Sequence, residues 1–500
     1  MKKYISIILL GLSIPNFYAQ QITIEEPLRL SVDNITGTAR FRAMSGAFGA
    51  LGGDLSAITQ NPAGSVFFNN NFGTITASNY NSKNIARYFG TTTRDNDSSL
   101  DLNQIGAVFI FKDASGASDW KKISLAINYE NTSNFDNSTF IAGTNPYNSI
   151  GNYFVDIAQG IELDYLKNFY YEQLPFDMQQ AYLGYDTYLF DAIEPNNLNN
   201  TDYFTNIPTG GNYYQENSSV TSGYSGKLTT NFATAYKDIL MLGVNLNFHF
   251  VDIRRSFSIF ESNNNPIYDS GSTVSRLRFD NNINTLGNGF SFNIGAIVKP
   301  TDYLRVGLSY ESPTWYRLTD DATQGVSTRV INNNVESTFA SYQPTIVYEP
   351  YKIQTPDRWT GSLAFIYEKK GLISLDVSRK DYSNTRIKPK NEYIGLNSYM
   401  SNVLDEAFEV RLGGEYKIKQ VSLRAGYRFD QSPYKVDQAF GDLTGYSGGL
   451  GYTFGENRID LAYTYEHRNM NQALISSGMN DPARISRYNN NVTLSYSINF

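Results

Sequence analysis

Residues 40–64 read RFRAMSGAFGALGGDLSAITQNPAG, and about half of these positions are Gly, Ala or Ser. Such small side chains let one backbone approach another closely, but they bury too little apolar area to form a core of their own. Asp54, which follows two glycines, predicts the start of a short helix over 55–59, and the NPAG sequence at 61–64 would end that helix. Since the chain after Phe67 has the pattern of strands and loops, this stretch predicts a plug inside a β structure.

The clearest strand is the last one, VTLSYSINF at 492–500. Its odd-numbered residues are polar and its even-numbered residues are apolar, which is the period-2 pattern of a strand with two different faces. The closing residues Tyr496, Ile498 and Phe500 are similar to the signal that the bacterial outer-membrane assembly machinery reads. The alternative is an ordinary edge strand.

The same pattern recurs along the chain, with large apolar residues on one face and Arg, Glu, Asp or Asn on the other. Charged side chains fit a polar lumen and aromatic ones fit lipid, so the pattern favours an all-β, transmembrane antiparallel β-barrel over a soluble sandwich. We predict about 14 strands, near 73–80, 104–112, 121–130, 228–237, 239–252, 275–298, 303–311, 343–367, 372–380, 407–417, 420–430, 446–454, 457–467 and 491–500.

The lengths of the links support a barrel. Links after the even-numbered strands are short and most of the others are long and polar, as in outer-membrane barrels with short periplasmic turns. The longest link, 131–227, has helical spacing of apolar residues within 154–193 and predicts two or three short helices over the outer mouth. Such a long loop is equally consistent with simple surface variation. Bends or bulges are expected at 281–284 and 355–357.

Composition excludes several classes of function. Aromatic residues make up 14% of the chain, charged residues 18%, and the net charge of −7 with no basic cluster disfavours nucleic acid as a partner. The chain has no cysteine and two histidines, which excludes thiol chemistry and a His-rich metal site. Residues 1–20 have the basic start and short apolar run of a signal peptide. The predicted domains are therefore 1–20 signal peptide, 21–67 tail and hatch, and 68–500 barrel.

The small-residue run that ends in DLSA and NPAG, ahead of a Tyr- and Phe-rich β chain, resembles the FadL/TodX/OmpP1 family of outer-membrane transport proteins. The resemblance implies a 14-stranded barrel with an N-terminal hatch that moves hydrophobic compounds, long-chain fatty acids being the family's typical cargo. The resemblance identifies Asn61, Pro62, Ala63 and Gly64 as the hatch motif, and the predicted hatch site also includes Gly52, Gly53 and Asp54 ahead of it. Localisation in a Gram-negative outer membrane follows, and the Asn- and Tyr-rich composition is typical of Bacteroidota.

Two functions remain open. The first is passive, hatch-gated uptake of hydrophobic or amphipathic small molecules; the second is a non-transport scaffold that holds secreted proteins or a secretion partner, as some relatives in Bacteroidota do. A transporter needs a polar anchor for the head group of an amphiphile, and the lumen-facing candidates are Arg305, Arg358, Arg411, Arg424 and Arg428. Each arginine could equally belong to an Arg–carboxylate network that holds the barrel together.

Enzymatic activity is not expected. The sequence contains no G-x-S-x-G, H-E-x-x-H or P-loop motif, and the histidines, His249 and His467, are isolated along the chain. No cofactor or metal is predicted. The expected partners are a fatty acid-like ligand, outer-membrane lipid and the assembly machinery.

Overall fold

The computed structural model describes residues 22–114, 117–368, 370–436, 439–475, 479 and 481–500, so the predicted signal peptide lies outside the described residues. The helices in these ranges are α1 (Glu25–Ser31), α2 (Ala39–Ala43), α3 (Ala57–Gln60), α4 (Gly151–Ala158), α5 (Leu163–Asn168), α6 (Phe176–Asp186) and α7 (Ile394–Val403). Short 3₁₀ helices cover Pro62–Phe67, Tyr171–Gln173 and Tyr382–Asn384.

The strands are β1 (Phe72–Tyr88), β2 (Thr91–Lys112), β3 (Trp120–Asn134), β4 (Asn137–Asn145), β5 (Phe190–Ala192), β6 (Tyr203–Thr205), β7 (Tyr213–Tyr236), β8 (Leu240–Ser262), β9 (Thr273–Val298), β10 (Leu304–Glu311), β11 (Trp315–Asn332), β12 (Val335–Tyr342), β13 (Ile346–Val347), β14 (Tyr351–Gln354), β15 (Arg358–Tyr367), β16 (Gly371–Asp381), β17 (Arg386–Lys388), β18 (Glu406–Ile418), β19 (Val421–Asp430), β20 (Phe440–Phe454), β21 (Asn457–Gln472) and β22 (Ala483–Asn499).

Fourteen of these strands form a closed antiparallel barrel. In chain order they are β1, β2, β3, β7, β8, β9, β10, β15, β16, β18, β19, β20, β21 and β22. The barrel closes where β1 pairs with β22, from Phe72 opposite Asn499 to Arg87 opposite Arg484. Closure gives the first and last strands a second neighbour, so their backbone N–H and C=O groups are paired. A strand edge exposed to lipid would leave such groups without a hydrogen-bond partner. The predicted fold class and strand count are confirmed, and each predicted strand overlaps one strand of the barrel.

The two faces of the wall differ as the alternation predicts. On β22, Leu494 is 53% exposed on the outer face, whereas its neighbour Ser495 is 1% exposed inside the barrel. Phe500, which follows β22, also lies outside, with its ring 6.3 Å from that of Phe109 in an edge-on arrangement. An apolar exterior around a polar interior is the arrangement that a bilayer requires.

Several strands are longer than predicted. Residues 81–103, predicted as a loop, continue β1 and β2 to a tight turn at Phe89 and Gly90, which both have positive φ, 41° and 82°. Likewise, β3, β4 and β7 take up much of the predicted loop 131–227, which leaves 146–212 as the connection. The bend expected at 281–284 is wrong, because β9 pairs with β8 and β11 without interruption there. These predictions were wrong because polar residues were interpreted as a sign of loops and bends. Strands above the membrane face water on both sides, so they can be polar on both faces.

Strand breaks occur at two facing positions. The ladder of β9 passes from β10 to β11 across 312–314, and β14 is separated from β15 by 355–357, where a bend was expected. Each break contains a proline, which lacks the N–H that a central strand must donate. Thr314 and Thr355 bridge the breaks, because the Thr314 amide donates to Thr355 Oγ1 at 2.8 Å and the Thr355 amide donates to the Thr314 carbonyl at 3.1 Å.

The N-terminal segment, residues 22–68, runs through the barrel from the outer mouth to the periplasmic end. Glu26 of α1 forms an ion pair with Arg255 near the outer end of β8. At the other end, Lys122 donates to the carbonyls of Val66 and Phe68, both at 2.9 Å. Residues 69–71 then connect the segment to β1. Helix α1 lies in the stretch that was predicted as the tail leading into the hatch.

Glycines of the wall make room for this segment. A Cβ atom on Gly413 would lie 2.6 Å from the Met44 carbonyl oxygen, and one on Gly243 would lie 2.5 Å from the Ala63 amide nitrogen. Both distances are far shorter than van der Waals contact. The wall glycines whose Cβ would overlap the N-terminal segment are Gly106, Gly243, Gly295, Gly307, Gly413, Gly426 and Gly449. Seven barrel strands therefore contact the segment through bare backbone.

The outer mouth is covered by residues 146–212, which we call the cap. Its helices α4, α5 and α6 pack into one apolar cluster with the inner face of the extracellular sheet. Phe154 of α4, for example, lies edge-on to Phe279 of β9 with ring centroids 5.4 Å apart. Glu261 of β8 fixes the start of α4, because its carboxylate accepts from the Ile150 amide at 2.8 Å. The cap is therefore packed on the barrel as part of its core.

We predict that Gly295→Val displaces the N-terminal segment while the barrel still forms, because a Cβ at Gly295 would overlap the side chain of Asn61. The readout is the rate at which a hydrophilic maleimide labels Ser45→Cys, a buried position in an otherwise cysteine-free chain. Labelling should accelerate roughly tenfold or more, equivalent to at least about 1.4 kcal/mol of easier opening.

The matched control is Gly361→Val, because Gly361 lies on the outer face and its Cβ would meet no atom within 4 Å. Equal labelling rates in the two variants would contradict the proposed wall contact.

Candidate functional site

The NPAG motif fastens the N-terminal segment to the wall. Asn61 Oδ1 accepts from the Ala63 amide at 3.1 Å, which caps the 3₁₀ helix that Pro62 begins. The same side chain donates through Nδ2 to the carbonyls of Gly49, at 2.8 Å, and of Ala296 on β9, at 3.2 Å. One asparagine side chain thus caps the 3₁₀ helix and hydrogen-bonds the motif both to the segment and to the barrel wall.

The glycine pair ahead of the motif closes a compact loop. Gly52 and Gly53 have φ of 61° and 65°, a region that favours glycine, and the Gly53 amide donates to the Gly64 carbonyl at 3.1 Å. Asp54 accepts from Thr38 Oγ1 at 2.7 Å and from the Ser56 amide at 3.0 Å. The helix that follows is α3, which begins at Ala57, two residues later than predicted.

The lower charge cluster lies near the periplasmic end of the lumen. Glu415 of β18 pairs with Arg40 of the N-terminal segment at 2.9 Å and with Arg424 of β19 at 2.7 Å. Arg424 also pairs with Asp460 at 2.8 Å, and Arg458 approaches the same carboxylate at 2.9 Å. The arginines of this cluster are thus paired with buried carboxylates, and one of them belongs to the segment.

The upper charge cluster is centred on Asp33, between α1 and α2. Its carboxylate lies 2.6 Å from Arg358 and 2.7 Å from Lys380, and its carbonyl accepts from Arg428 at 2.6 Å. The side chain of Asp33 is thus paired with two cations of the wall, and its backbone carbonyl is held by a third.

The remaining predicted arginines also contact the segment. Arg305 donates to the Leu51 carbonyl at 2.5 Å, and its guanidinium lies 4.0 Å from the ring centroid of Phe67. Arg411 donates to Gln60 at 3.1 Å and pairs with Glu409 at 3.0 Å. Four of the five predicted arginines thus touch the N-terminal segment directly, and Arg424 does so through Glu415. Their binding of substrate stays a prediction.

Sequence reasoning missed the partners on the segment and some on the wall. Asp376 of β16, whose carboxylate accepts from the amides of Phe48 and Gly49 at 3.0 and 2.9 Å, is one such residue. Asp33 and Lys380 are others. Asp376 and Lys380 lie on the polar face of a predicted strand, which indicated a lumen position but no partner. Asp33 lies in a stretch without periodicity, and no local signal marked it.

A cavity of about 110 Å³ lies between the N-terminal segment and the wall. Its lining is polar and charged, and includes Asp33, Glu130, Lys227, Arg358 and Arg411. This lining suits water or the head group of an amphiphile better than an alkyl chain. In the part of the chain that the structure describes, no three His, Asp or Glu side chains converge as a metal site would require.

His249 lies at this cavity. Its Nε2 is 2.9 Å from Ser291 Oγ, and its Nδ1 is 3.4 Å from the Tyr316 hydroxyl. A Ser–His pair can be nucleophilic, but Ser291 is completely buried in the wall. His467 is distant from this pair along the wall and stacks on Tyr488 with centroids 4.6 Å apart.

The wall opens between β2 and the β3–β4 bend. The β2–β3 ladder ends at Gln104 opposite Glu130, and β4 pairs with β7 alone. Beyond that point side chains bridge the two sides: Asn134 donates to Ser99 at 3.0 Å, and Asn84 of β1 donates to the Ser138 carbonyl at 2.6 Å. A polar cavity of about 70 Å³ adjoins this gap from the lumen side. The gap begins at Gln104, at the outer end of the predicted strand 104–112.

The family model of the outer membrane protein transport proteins (OMPP1/FadL/TodX) matches residues 200–497, more than half of the chain. The chain belongs to this family. The FadL/TodX family consists of transport proteins rather than enzymes, and its members are outer-membrane β-barrels. In the described part of this member, no helix is both long and apolar enough to cross a membrane.

Solved structures agree with the fold of the FadL/TodX family. A Pseudomonas aeruginosa FadL homologue matches with a TM-score of 0.53 at 13% identity, over 94% of this chain and 100% of that chain. The Pseudomonas putida toluene transporter TodX matches with a TM-score of 0.50 at 14% identity, over the same shares. A TodX deletion mutant described as a monoaromatic hydrocarbon channel gives 0.54 at 12% identity, over 93% and 98%. The chain has no match among curated proteins.

We predict that Glu415→Gln loosens the N-terminal segment, because the neutral amide leaves Arg40 and Arg424 without their shared carboxylate. Breaking a buried ion pair typically costs about 3 kcal/mol, so the denaturant midpoint of the folded-to-unfolded shift in gel mobility should fall clearly. The control is Glu406→Gln, which removes an exposed pair with Arg379 and should leave the midpoint unchanged. Equal midpoints for Glu415→Gln and the unsubstituted protein would show that the pair does not hold the segment.

Proposed function

We propose that the protein is a channel for passive uptake of hydrophobic or amphipathic small molecules, such as long-chain fatty acids, and that the N-terminal segment is its hatch. The main support is that a non-covalently held segment fills the lumen from mouth to mouth. Its contacts are hydrogen bonds, ion pairs and glycine packing, which can separate and re-form without unfolding the barrel. The toluene transport named for the structurally similar TodX is consistent with a hydrophobic cargo.

We propose that the upper charge cluster anchors the head group of an amphiphile. Asp33 places a carboxylate between Arg358 and Lys380, and the carboxylate of a fatty acid could take its place once the segment moves. The hatch would then act as a tethered competitor of the substrate. Arg305, Arg411, Arg424 and Arg428 would hold the segment in the resting state and become free for substrate as it leaves.

The exit in this proposal is the gap between β2 and the β3–β4 bend. An apolar molecule gains nothing by entering water, so a lateral path from the lumen to the bilayer is favoured over a path along the barrel axis. Around the gap, Leu100 and Leu102 of β2 are exposed on the outer face. Apolar side chains at this edge offer a surface for a molecule that leaves sideways.

A disulfide should lock the hatch. Ser45 of the segment and Ser447 of β20 have hydroxyl oxygens 2.8 Å apart, so Ser45→Cys with Ser447→Cys places two sulfurs within bonding reach, far from the C-terminal end of the segment. We expect the oxidised double variant to lose uptake of a labelled fatty acid in proteoliposomes, and the reduced form to recover it. Each single variant, oxidised in the same way, is the control. Undiminished uptake by the crosslinked protein would refute hatch gating.

Arg358→Gln tests the head-group site. Loss of one charge-assisted hydrogen bond of about 1.5 kcal/mol should lower the uptake ratio of a fatty acid to its methyl ester roughly tenfold. The ratio cancels any general change in gating, because both ligands share one alkyl chain and one path. Arg379→Gln, on the outer surface, is the control variant. An unchanged ratio would leave the upper cluster a structural network only.

A scaffold is the second candidate, and the extracellular part of the protein favours it. Strands β7, β8 and β9 have 24, 23 and 26 residues, whereas about 10 residues cross a membrane. The excess carries the packed cap, which presents a firm surface to a protein partner. A scaffold would keep its partner in the crosslinked Ser45→Cys, Ser447→Cys protein, so that experiment separates the two functions.

A further inference from the structure

A groove of about 550 Å³ lies on the outer, lipid-facing side of the wall, across β15, β16, β18 and β19. Its lining is almost wholly apolar, and its walls are the outward side chains Phe365, Tyr367, Ile373, Tyr416 and Leu423. It lies outside the lumen and has no part in the proposed hatch mechanism.

The register of the strands explains the shape of the groove. Gly371 pairs with Tyr367 on one side and with Tyr416 on the other, so two exposed tyrosines flank a position without a side chain. Deeper in the membrane, Gly414 pairs with Ile373 and with Ala425, which extends the floor toward β19. A slot about as wide as one strand results, open at the periplasmic end between the two rings.

Basic residues lie where the groove opens. Its periplasmic end meets Glu368 and Lys370 after β15 and the turn at 419–420, which are adjacent because the Lys417 amide donates to the Lys370 carbonyl at 2.7 Å. Among the described residues here, Lys370 and Lys419 lie beside Glu368, which forms an exposed pair with Lys370 at 3.0 Å. Lys417 is excluded from this group because it pairs with Glu415 of the lower charge cluster at 3.8 Å. An excess of positive charge at the mouth of an apolar slot matches the chemistry of an anionic lipid.

We propose that this groove binds one anionic glycerophospholipid of the periplasmic leaflet. One acyl chain would lie in the slot over Gly371 and Gly414, between the two tyrosine rings. The phosphate would lie near Lys370 and Lys419 at the membrane surface, where the tyrosine hydroxyls can donate to the ester region. Charge complementarity favours this occupant over a second copy of the chain, whose facing groove would present the same lysines.

Native mass spectrometry of the full barrel tests the proposal. Protein exchanged into mild detergent is mixed with phosphatidylglycerol or phosphatidylethanolamine of identical acyl chains, and bound lipid is counted. We expect one retained phosphatidylglycerol and about tenfold weaker retention of phosphatidylethanolamine. Gly414→Leu should abolish the retained lipid, because its Cβ meets only the Leu372 carbonyl at 3.7 Å and the side chain then fills the floor. Lys370→Gln with Lys419→Gln should remove the preference between the two lipids.

Two matched variants control for general effects of adding a leucine or removing a lysine. Gly361→Leu adds the same side chain at an open outward position beyond the groove, and Lys237→Gln removes a lysine from a distant turn. Both should retain phosphatidylglycerol like the unsubstituted protein. Equal retention by Gly414→Leu would overturn the groove as the site, and equal retention of both lipids by the unsubstituted protein would overturn the charge-based assignment. Neither result depends on whether the hatch opens.

Discussion

Contact between bare backbone of the wall and the small residues of the N-terminal segment is the constraint on which this structure depends. A 14-stranded barrel encloses more space than its own side chains fill, and this space must be occupied if the lumen is to be closed. Glycines on seven strands allow Ala43, Met44, Ala63 and their neighbours to lie directly against the wall. Because most of these residues are small or meet the wall through their backbone, the contact is close, yet most of them contribute little apolar area.

Ion pairs add stability to the attachment of the segment that its small apolar contact area cannot provide. Arg40 of the segment pairs with Glu415 of the wall toward the periplasm, and Asp33 lies between Arg358 and Lys380 of the wall toward the outer mouth. The side chains of these pairs are largely buried, so the pairs are stronger than on a surface and costly to break singly. Two fastening points at different heights resist rotation of the segment as well as sliding. They also place cations inside a protein whose family moves hydrophobic compounds, which links the resting structure to its proposed ligands.

The barrel could be read from the sequence because lipid and lumen impose opposite requirements on alternate residues. This alternation can be recognised within a single strand such as β19 or β22. The sequence of the neighbouring strand is not needed to recognise it. Above the membrane the requirement disappears, so the outer halves of β1 and β2 were mistaken for loop. The arginines were placed correctly in the lumen for the same reason. Their partners were not predicted. Asp33 contacts Arg358 only because of the route that the N-terminal segment takes through the lumen, and no local sequence pattern indicates that route.

The way in which the segment is attached limits how it can move. Asn71 is held at both sides of β1, since its side chain accepts from the Ile110 amide at 3.0 Å and its carbonyl accepts from the Phe500 amide at 3.0 Å. The four steps from Phe68 to Phe72 span at most about 14 Å. The NPAG end is therefore tethered to the periplasmic rim, whereas forty residues of chain separate α1 from β1. Any excursion of the segment is a swing about its C-terminal end, and its reach increases toward the outer mouth.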